Sequence, residues 1–302
     1  MYKSYRIAES KIQEDAEGPI RVYHNPDEAE RKYLVEELKV DEHTLASALD
    51  PDEQARLEFE PDHLAMILKR PKNYSAKDQF LFKVASFGIF LFRDRLVVVA
   101  ADDVPLFEGK CFNRVGSYTD LALKLIYRTI NHFVEHLKII NMVTDSLESK
   151  ISASMENKYL LNLFTLEKSL VYYLNAINSN SSVTEKLKLN ATKQGLTQEE
   201  LEYLDDIIIE NGQCYRQAEI YSNILAGLMD ARVSIVSNNL NVLMKTLNII
   251  TIGIMVPTFV VSVFSMNVGI PFQQHRHAFW IILVISMISV CTFYLIWKKK
   301  KW

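Results

Sequence analysis

Two apolar runs close to the C-terminal end decide most of what this chain can fold into. Residues 278–297 are twenty consecutive positions without a charge, and residues 247–264 are eighteen more. At about 1.5 Å of rise per residue, a helix over either run reaches close to the roughly 30 Å thickness of a hydrocarbon core. Trp280 and Trp297 stand near the ends of the later run, where interfacial aromatics sit. The competing reading is a buried helical hairpin in a soluble protein. Two adjacent uncharged runs followed by Lys298, Lys299, Lys300 and Lys301 fit a bilayer better.

Charge orients the spans. Lys245 precedes the first, the lysine tail follows the second, and the connecting segment 265–277 carries only Arg276 with His275 and His277. An excess of basic residues marks the cytoplasmic side, so both termini are expected in the cytoplasm, with the chain crossing the cell (inner) membrane twice. The opening sequence, MYKSYRIAES, lacks an apolar signal core, and no cleaved leader is expected.

The 302 residues are 49% hydrophobic and 24% charged, an average that hides this segregation. A net charge of −3 without a concentrated basic patch argues against nucleic acid as a partner. Cys111, Cys214 and Cys291 are far apart and read as packing residues rather than ligands or nucleophiles. There is no phosphate-cradling G-x-x-x-x-G-K-[ST] loop and no H-E-x-x-H or G-x-S-x-G motif, so no enzyme is expected.

Residues 1–115 read as a cytoplasmic α/β domain. Amphipathic helices are predicted over 27–38 and 41–49, and short strands over 56–60, 63–69, 79–85, 88–92 and 95–100, separated by Pro61, Pro71, Gly88 and the Arg93-Asp94 turn. Residues 116–196 read as a helical hairpin, with apolar spacing along 118–146 and again along 147–176, a polar break at 179–182 and a second break at Gly195. Thr197 and Glu200 form a capping box that opens the longest element, 197–264, with no proline before Pro257. A continuous helix over that range would be on the order of 100 Å long. Its apolar positions Leu204, Ile208, Tyr215, Ala218, Leu225 and Leu228 need partners, and self-association into a parallel bundle is the economical source.

The first span carries the most information. Asn241, Met244, Asn248, Thr251, Met255, Thr258, Ser262 and Ser265 follow one another at steps of three and four. At about 100° per residue they fall within an arc of roughly 120°, while the rest of the span is aliphatic or aromatic apart from Gly253 and Pro257. Pro257 lacks an N–H, so the carbonyl of Gly253 has no helical partner. A polar stripe at membrane depth must meet other helices or water. Its neutral oxygens suit outer-sphere contact with a hydrated divalent cation, and Met244 and Met255 suit apolar constrictions.

These features together resemble the CorA family of magnesium transport channels. The resemblance rests on NVLMKTLNIITIGIM, on VFSMN at 263–267, on the short loop and second span, and on the terminal WKKKKW. It is close from about Tyr203 to Trp302 and architectural before that. It implies an α+β cytoplasmic domain, a very long stalk helix and two transmembrane helices, assembled as a pentameric funnel around one pore. The divisions that follow are 197–264 for the stalk and first span (membrane part 247–264), 265–277 for the extracytoplasmic loop, 278–297 for the second span and 298–302 for the basic tail. Mg2+ is then the expected substrate, with Co2+ and Ni2+ as further cargo, moving passively down the membrane potential.

By motif position, the resemblance makes Ser265, Met266 and Asn267 the selectivity segment, with Asn267 holding the incoming hydrated ion. It makes Asn241, Met244 and Met255 pore residues. It matches Asp206 to an acidic residue of an inter-subunit regulatory Mg2+ site, with Asp50 as candidate partner; on sequence alone Asp206 is a solvated helix charge. Two positions depart from the family pattern. Ser265 replaces a glycine, which tolerates positive φ where serine resists it. The loop QQHRH at 273–277 is basic where acidic residues are common, and His275 with His277 could ligate a transition metal. A zinc transporter of the same fold, or a non-conducting cation sensor or scaffold, are the alternatives these departures motivate.

Overall fold

The computed structural model describes residues 2–74, 80–103, 105–153, 157–269, 271–272 and 274–300. Chain contacts resolve it into two compact units, Met1–Met229 and Asp230–Trp302.

The first unit is built on a seven-stranded sheet. Its strands are β1 (Tyr2–Ala8), β2 (Lys11–Glu14), β3 (Ile20–His24), β4 (Arg56–Phe59), β5 (His63–Pro71), β6 (Val84–Phe92) and β7 (Leu96–Ala100), in the order β2-β1-β3-β7-β6-β5-β4. Only β3 and β7 pair in parallel. Side chains alternate between two cores along each central strand. In β7, Leu96, Val98 and Ala100 enter one core while Val97 and Val99 enter the other. Burial on both faces explains why these strands read as continuous apolar runs rather than as alternating ones.

One face is covered by α1 (Glu28–Glu36) and α2 (Glu42–Leu49). Asp27 and Glu30 form a reciprocal capping box at the start of α1, and Asp41 caps α2 through the Thr44 N–H. Gly88 lets α2 lie close, since a Cβ there would come within 2.8 Å of the Ala48 methyl. The opposite face is covered by α3 (Tyr118–Ala153), α4 (Asn157–Asn190) and the first half of α5 (Gln198–Val263), which share one core with the sheet.

Several expectations change here. The runs 79–85 and 88–92 are a single strand, β6, which begins at Val84; Gln79 lies outside the described residues. The helical hairpin turns after Ala153 rather than at 146, and Met155 also lies outside the described residues. The polar stretch 179–182 is no break, because α4 runs through it and spends those groups on the sheet. Ser179 Oγ accepts from the Ala55 N–H at 2.8 Å, and Asn180 bonds both backbone groups of Lys69. The apolar face of α5 is not left for self-association: Leu204, Ile207, Cys214, Ala218 and Leu225 are buried in the core of their own chain. The start of α5 is as expected, with Thr197 and Glu200 bonded reciprocally and Ser117 Oγ adding a bond to Glu200 at 2.7 Å.

In the second unit α5 continues to Val263 with Pro257 inside it, and α6 spans Ala278–Lys300. Both are long and apolar enough to cross a membrane.

Candidate ion pathway

The two helices of the second unit touch along one narrow face of each. On α5 the partly covered positions are Ile249, Gly253, Val256, Pro257 and Val260, with Phe264 just past its end. On α6 they are Ala278, Ile281, Ile282, Ile285, Ser286, Ser289 and Phe293. Gly253 faces the Phe293 ring, where an added Cβ would stand at an ordinary contact distance of 3.7 Å.

Most of the polar stripe lies on the other side of α5, its last turns bordering a groove that α6 also reaches. Asn241, Met244, Asn248, Thr251, Met255, Thr258 and Ser262 are all exposed. At roughly 100° per residue, the stripe is centred about half a turn from the positions that meet α6. The chain's own second span therefore does not bury it. The remaining exposed positions, among them Ile250, Ile252, Ile254 and Phe259, are apolar and suited to lipid. The stripe is not, because polar groups at membrane depth require water or another polar surface.

The hydroxyls of the stripe are oriented by the helix itself. Thr251 Oγ1 donates to the Leu247 carbonyl at 2.8 Å, and Thr258 Oγ1 donates to the Ile254 carbonyl at 2.7 Å. Each hydroxyl has one proton, and that proton is spent on the backbone. What each presents outward is lone pairs. A hydrated cation offers the complement, since its bound waters direct their hydrogens outward.

Ser265 ends this stripe. Its N–H and its hydroxyl both donate to the Ser262 carbonyl, at 3.1 and 2.8 Å, closing the end of α5. Among the described residues the non-glycine positions with positive φ do not include Ser265, Met266 or Asn267, so serine stands in place of glycine without backbone strain. Met266 and Asn267 follow in an exposed bend. Thr258, Ser262 and Ser265 border a groove of about 400 Å³ with Pro257 and Val261, and Ser286 of α6 reaches the same groove. The polar signal of α6 was a serine pair, Ser286 and Ser289, inside an otherwise apolar run.

The histidine loop is less suited to a metal than its composition suggests. His275 and His277 rings are 6.0 Å apart, and His275 Nδ1 accepts the N–H of His277 at 3.3 Å. That leaves one free ring nitrogen on His275. No group of three or more metal-ligating side chains occurs among the described residues, and Gln273 lies outside them.

Asp206 and Asp50 lie in the first unit, both exposed. Asp206 is on α5 and makes no ion pair among the described residues, whereas its neighbour Asp205 pairs with Lys188 at 2.7 Å. Asp50 ends α2, and its carboxylate accepts the Asp52 N–H at 2.9 Å. Within one chain the two carboxylates form no metal cluster with a third ligand among the described residues.

Three comparisons bear on this arrangement. Residues 22–300 match the family described as CorA-like Mg2+ transporter protein. The chain is 22% identical over 319 residues to the cobalt/magnesium transport protein CorA of Methanocaldococcus jannaschii, covering 99% of this chain and 97% of the relative. It is 24% identical over 268 residues to the cobalt/magnesium transport protein CorA of Thermotoga maritima, covering 85% of this chain and 75% of the relative. The complete structure of the CorA magnesium transporter from Methanocaldococcus jannaschii has the same fold, with a TM-score of 0.81, 20% identity, and coverage of 98% of this chain and 96% of that chain.

Proposed function

The chain belongs to the family of CorA-like Mg2+ transporter proteins, and from that premise we propose that it is a homopentameric channel passing hydrated Mg2+ through a pore lined by α5. The family transports ions and is not enzymatic. The observation that carries the pore assignment is the stripe: polar, half a turn from the α6 contact, with the Thr251 and Thr258 protons turned back into the helix. Mg2+ dehydrates reluctantly and keeps its waters, so a wall of acceptor oxygens can hold it without stripping the shell. The flexible thioethers of Met244 and Met255 alternate with these oxygens and form apolar constrictions.

Asn267 stands at the mouth, where its amide oxygen accepts from the waters of an arriving ion, and Ser265 fixes the helix end behind it. The chain lies in the inner membrane with both termini in the cytoplasm, a reading supported by Lys245 and the Lys298–Lys300 tail. Asp206, with Asp50 as partner from a neighbouring copy, forms the cytoplasmic regulatory site for Mg2+. Co2+ and Ni2+ share the octahedral hydrate and follow the same path.

The test is Mg2+ uptake into vesicles carrying the purified protein under an inside-negative potential. Wild type is expected to conduct and Asn267→Ala to lose most of the flux. An absence of Mg2+ flux in wild type, or an undiminished flux in Asn267→Ala, would remove the pore role or the mouth assignment respectively. Zn2+ uptake exceeding Mg2+ uptake in the same vesicles would move the assignment to a zinc transporter.

A further inference from the structure

The first unit contains a cleft of about 440 Å³ that the ion pathway does not use, between the turn after α2, the β5–β6 hairpin and α4. Four lysines line it, Lys69, Lys72, Lys83 and Lys168. Two carboxylates also line it, and one of them, Glu53, is bonded to Arg56 at 2.9 Å. Asp52 remains against the four ammonium groups. Lys72 reaches outward to Asp102 at 3.4 Å from a side chain about half exposed, a pairing that solvent screens.

Lys69 sets this cleft apart from an ordinary basic surface. Its side chain is 5% exposed, although it lines the cleft. The ammonium donates to the Pro51 carbonyl at 2.8 Å and to Ser86 Oγ at 2.9 Å, and neither partner carries charge. An ammonium has three donors, so one remains. Lys69 forms no ion pair among the described residues. Burial lowers its affinity for the proton, opposed by the Asp50, Asp52 and Glu53 carboxylates, none of which is paired with it among the described residues. A buried cation held by neutral acceptors is costly unless an anion completes it. Ser86 Oγ in turn donates to the Asp50 carbonyl at 2.5 Å, so the ammonium is fixed by a chain of bonds rather than free to swing.

We propose that this cleft binds a small, multiply charged anion bearing a diphosphate or triphosphate group. Lys69 is the fixed donor at its base, and Lys72, Lys83 and Lys168 are the mobile rim that closes on the remaining oxygens. Lysine suits phosphate as a point charge, and the volume lies in the range of small-molecule clefts. The exposed ring of Tyr172 also lines the cleft, with Lys168 Nζ 5.7 Å from its centroid. That ring offers a stacking face for a nucleobase when the polyphosphate carries one. The site is independent of ion conduction and stands or falls separately from the pore.

Calorimetric titration of the full-length protein in neutral detergent, with chelator present to remove divalent cations, tests this. The probes are pyrophosphate, ATP and sulfate. Pyrophosphate and ATP are expected to bind at one site per chain, with sulfate about tenfold weaker or more. Lys83→Glu and Lys168→Glu alter exposed side chains and are each expected to weaken pyrophosphate about tenfold. Lys138→Glu, on an exposed lysine elsewhere on α3, is expected to leave binding unchanged. Tighter binding of ATP that is lost in Tyr172→Ala assigns the base to the ring; equal affinities assign the diphosphate alone, and either supports the site. Absence of binding by both phosphates overturns the proposal, as does an equal loss in Lys138→Glu, which would mark general charge attraction.

Discussion

Asn180 on α4 takes both backbone groups of Lys69 in β5: its Oδ1 accepts from the N–H at 2.8 Å and its Nδ2 donates to the carbonyl at 2.7 Å. The reason lies in the sheet. Strand β4 pairs with β5 only as far as Ile67, opposite Arg56, so that edge of β5 has no strand beside it at Lys69. The amide of Asn180 stands in for the missing strand. Asn180→Leu would leave a buried donor and a buried acceptor unpaired, at about 1–3 kcal/mol each. The expected outcome is a thermal midpoint lower by roughly 5–20 °C for a unit of this size. Asn180→Asp keeps the acceptor for the Lys69 N–H but buries a carboxylate against the Lys69 carbonyl, and should fall at least as far. A midpoint within about 1 °C of wild type for Asn180→Leu would show that water can replace the pairing.

The α3–α4 hairpin encloses a second polar group with a consequence for acid stability. His136 Nδ1 lies 2.6 Å from the Tyr173 hydroxyl, and His132 packs edge-on against His136 at 4.5 Å between ring centroids. Burial pushes His136 down to about 4, and burial with the neighbouring His136 pushes His132 down to about 3. The unfolded chain takes up these protons near the ordinary 6.5, so below that pH it binds more protons than the folded chain. Stability from this pair is therefore complete above pH 6.5 and declines as pH falls from 6.5 toward 4. His136→Phe, which keeps the ring volume, should flatten that part of the profile. Thermal midpoints measured from pH 7.5 to 4.5 check it; an equal slope in wild type and variant would assign the acid loss elsewhere.

What could be read in advance follows from how local each signal is. The capping box at Thr197 and the long apolar helices are set by spacing within a few turns, and α5 and α6 run through the two apolar stretches. The segment 179–182 misled because four polar residues in a row have the composition of a loop; only the bare edge of β5, more than a hundred positions earlier, explains why a helix carries them. Strands β1 to β3 carry no long apolar run: β2 is a short, polar edge strand, β1 beside it is only half-covered, and β3 is five residues interrupted by Arg21. The apolar face of α5 was legible, but not the surface that covers it, since a helix pattern gives a face and not its partner. At the pathway, the sequence had the stripe but not the direction of the hydroxyl protons, which depends on rotamers.

Asp206 provides a prediction on the assembled protein. A divalent cation held between carboxylates of neighbouring copies stabilises the assembly in proportion to its occupancy. Millimolar Mg2+ is expected to raise the thermal midpoint of wild type by several degrees and to do so much less for Asp206→Ala and Asp50→Ala. Unliganded Asp206→Ala should be no less stable than wild type, because Asp206 has no ion pair to lose among the described residues, whereas Asp50→Ala also loses the bond to the Asp52 N–H. A full Mg2+ response in Asp206→Ala would exclude it as a ligand.

The stripe makes the sharpest demand. Thr251→Val and Thr258→Val preserve shape while removing an oxygen whose proton is already spent on the Leu247 or Ile254 carbonyl. Nothing in the fold of the helix needs that oxygen, so the variants should assemble normally. The outward lone pairs, in contrast, are what a hydrated ion would meet. The double variant is expected to lower Mg2+ flux about tenfold with an unchanged thermal midpoint, the loss of two outer-sphere acceptors at a modest bond strength each. Ser265→Gly is the counterpart. Its position carries no positive φ, so glycine relieves no strain, keeps the N–H bond to the Ser262 carbonyl and removes only the hydroxyl's bond to it. Flux within about fivefold of wild type is expected there, since one hydrogen bond of this kind is worth about 1 kcal/mol. A double valine variant that conducts like wild type would mean the stripe faces another helix rather than the ion.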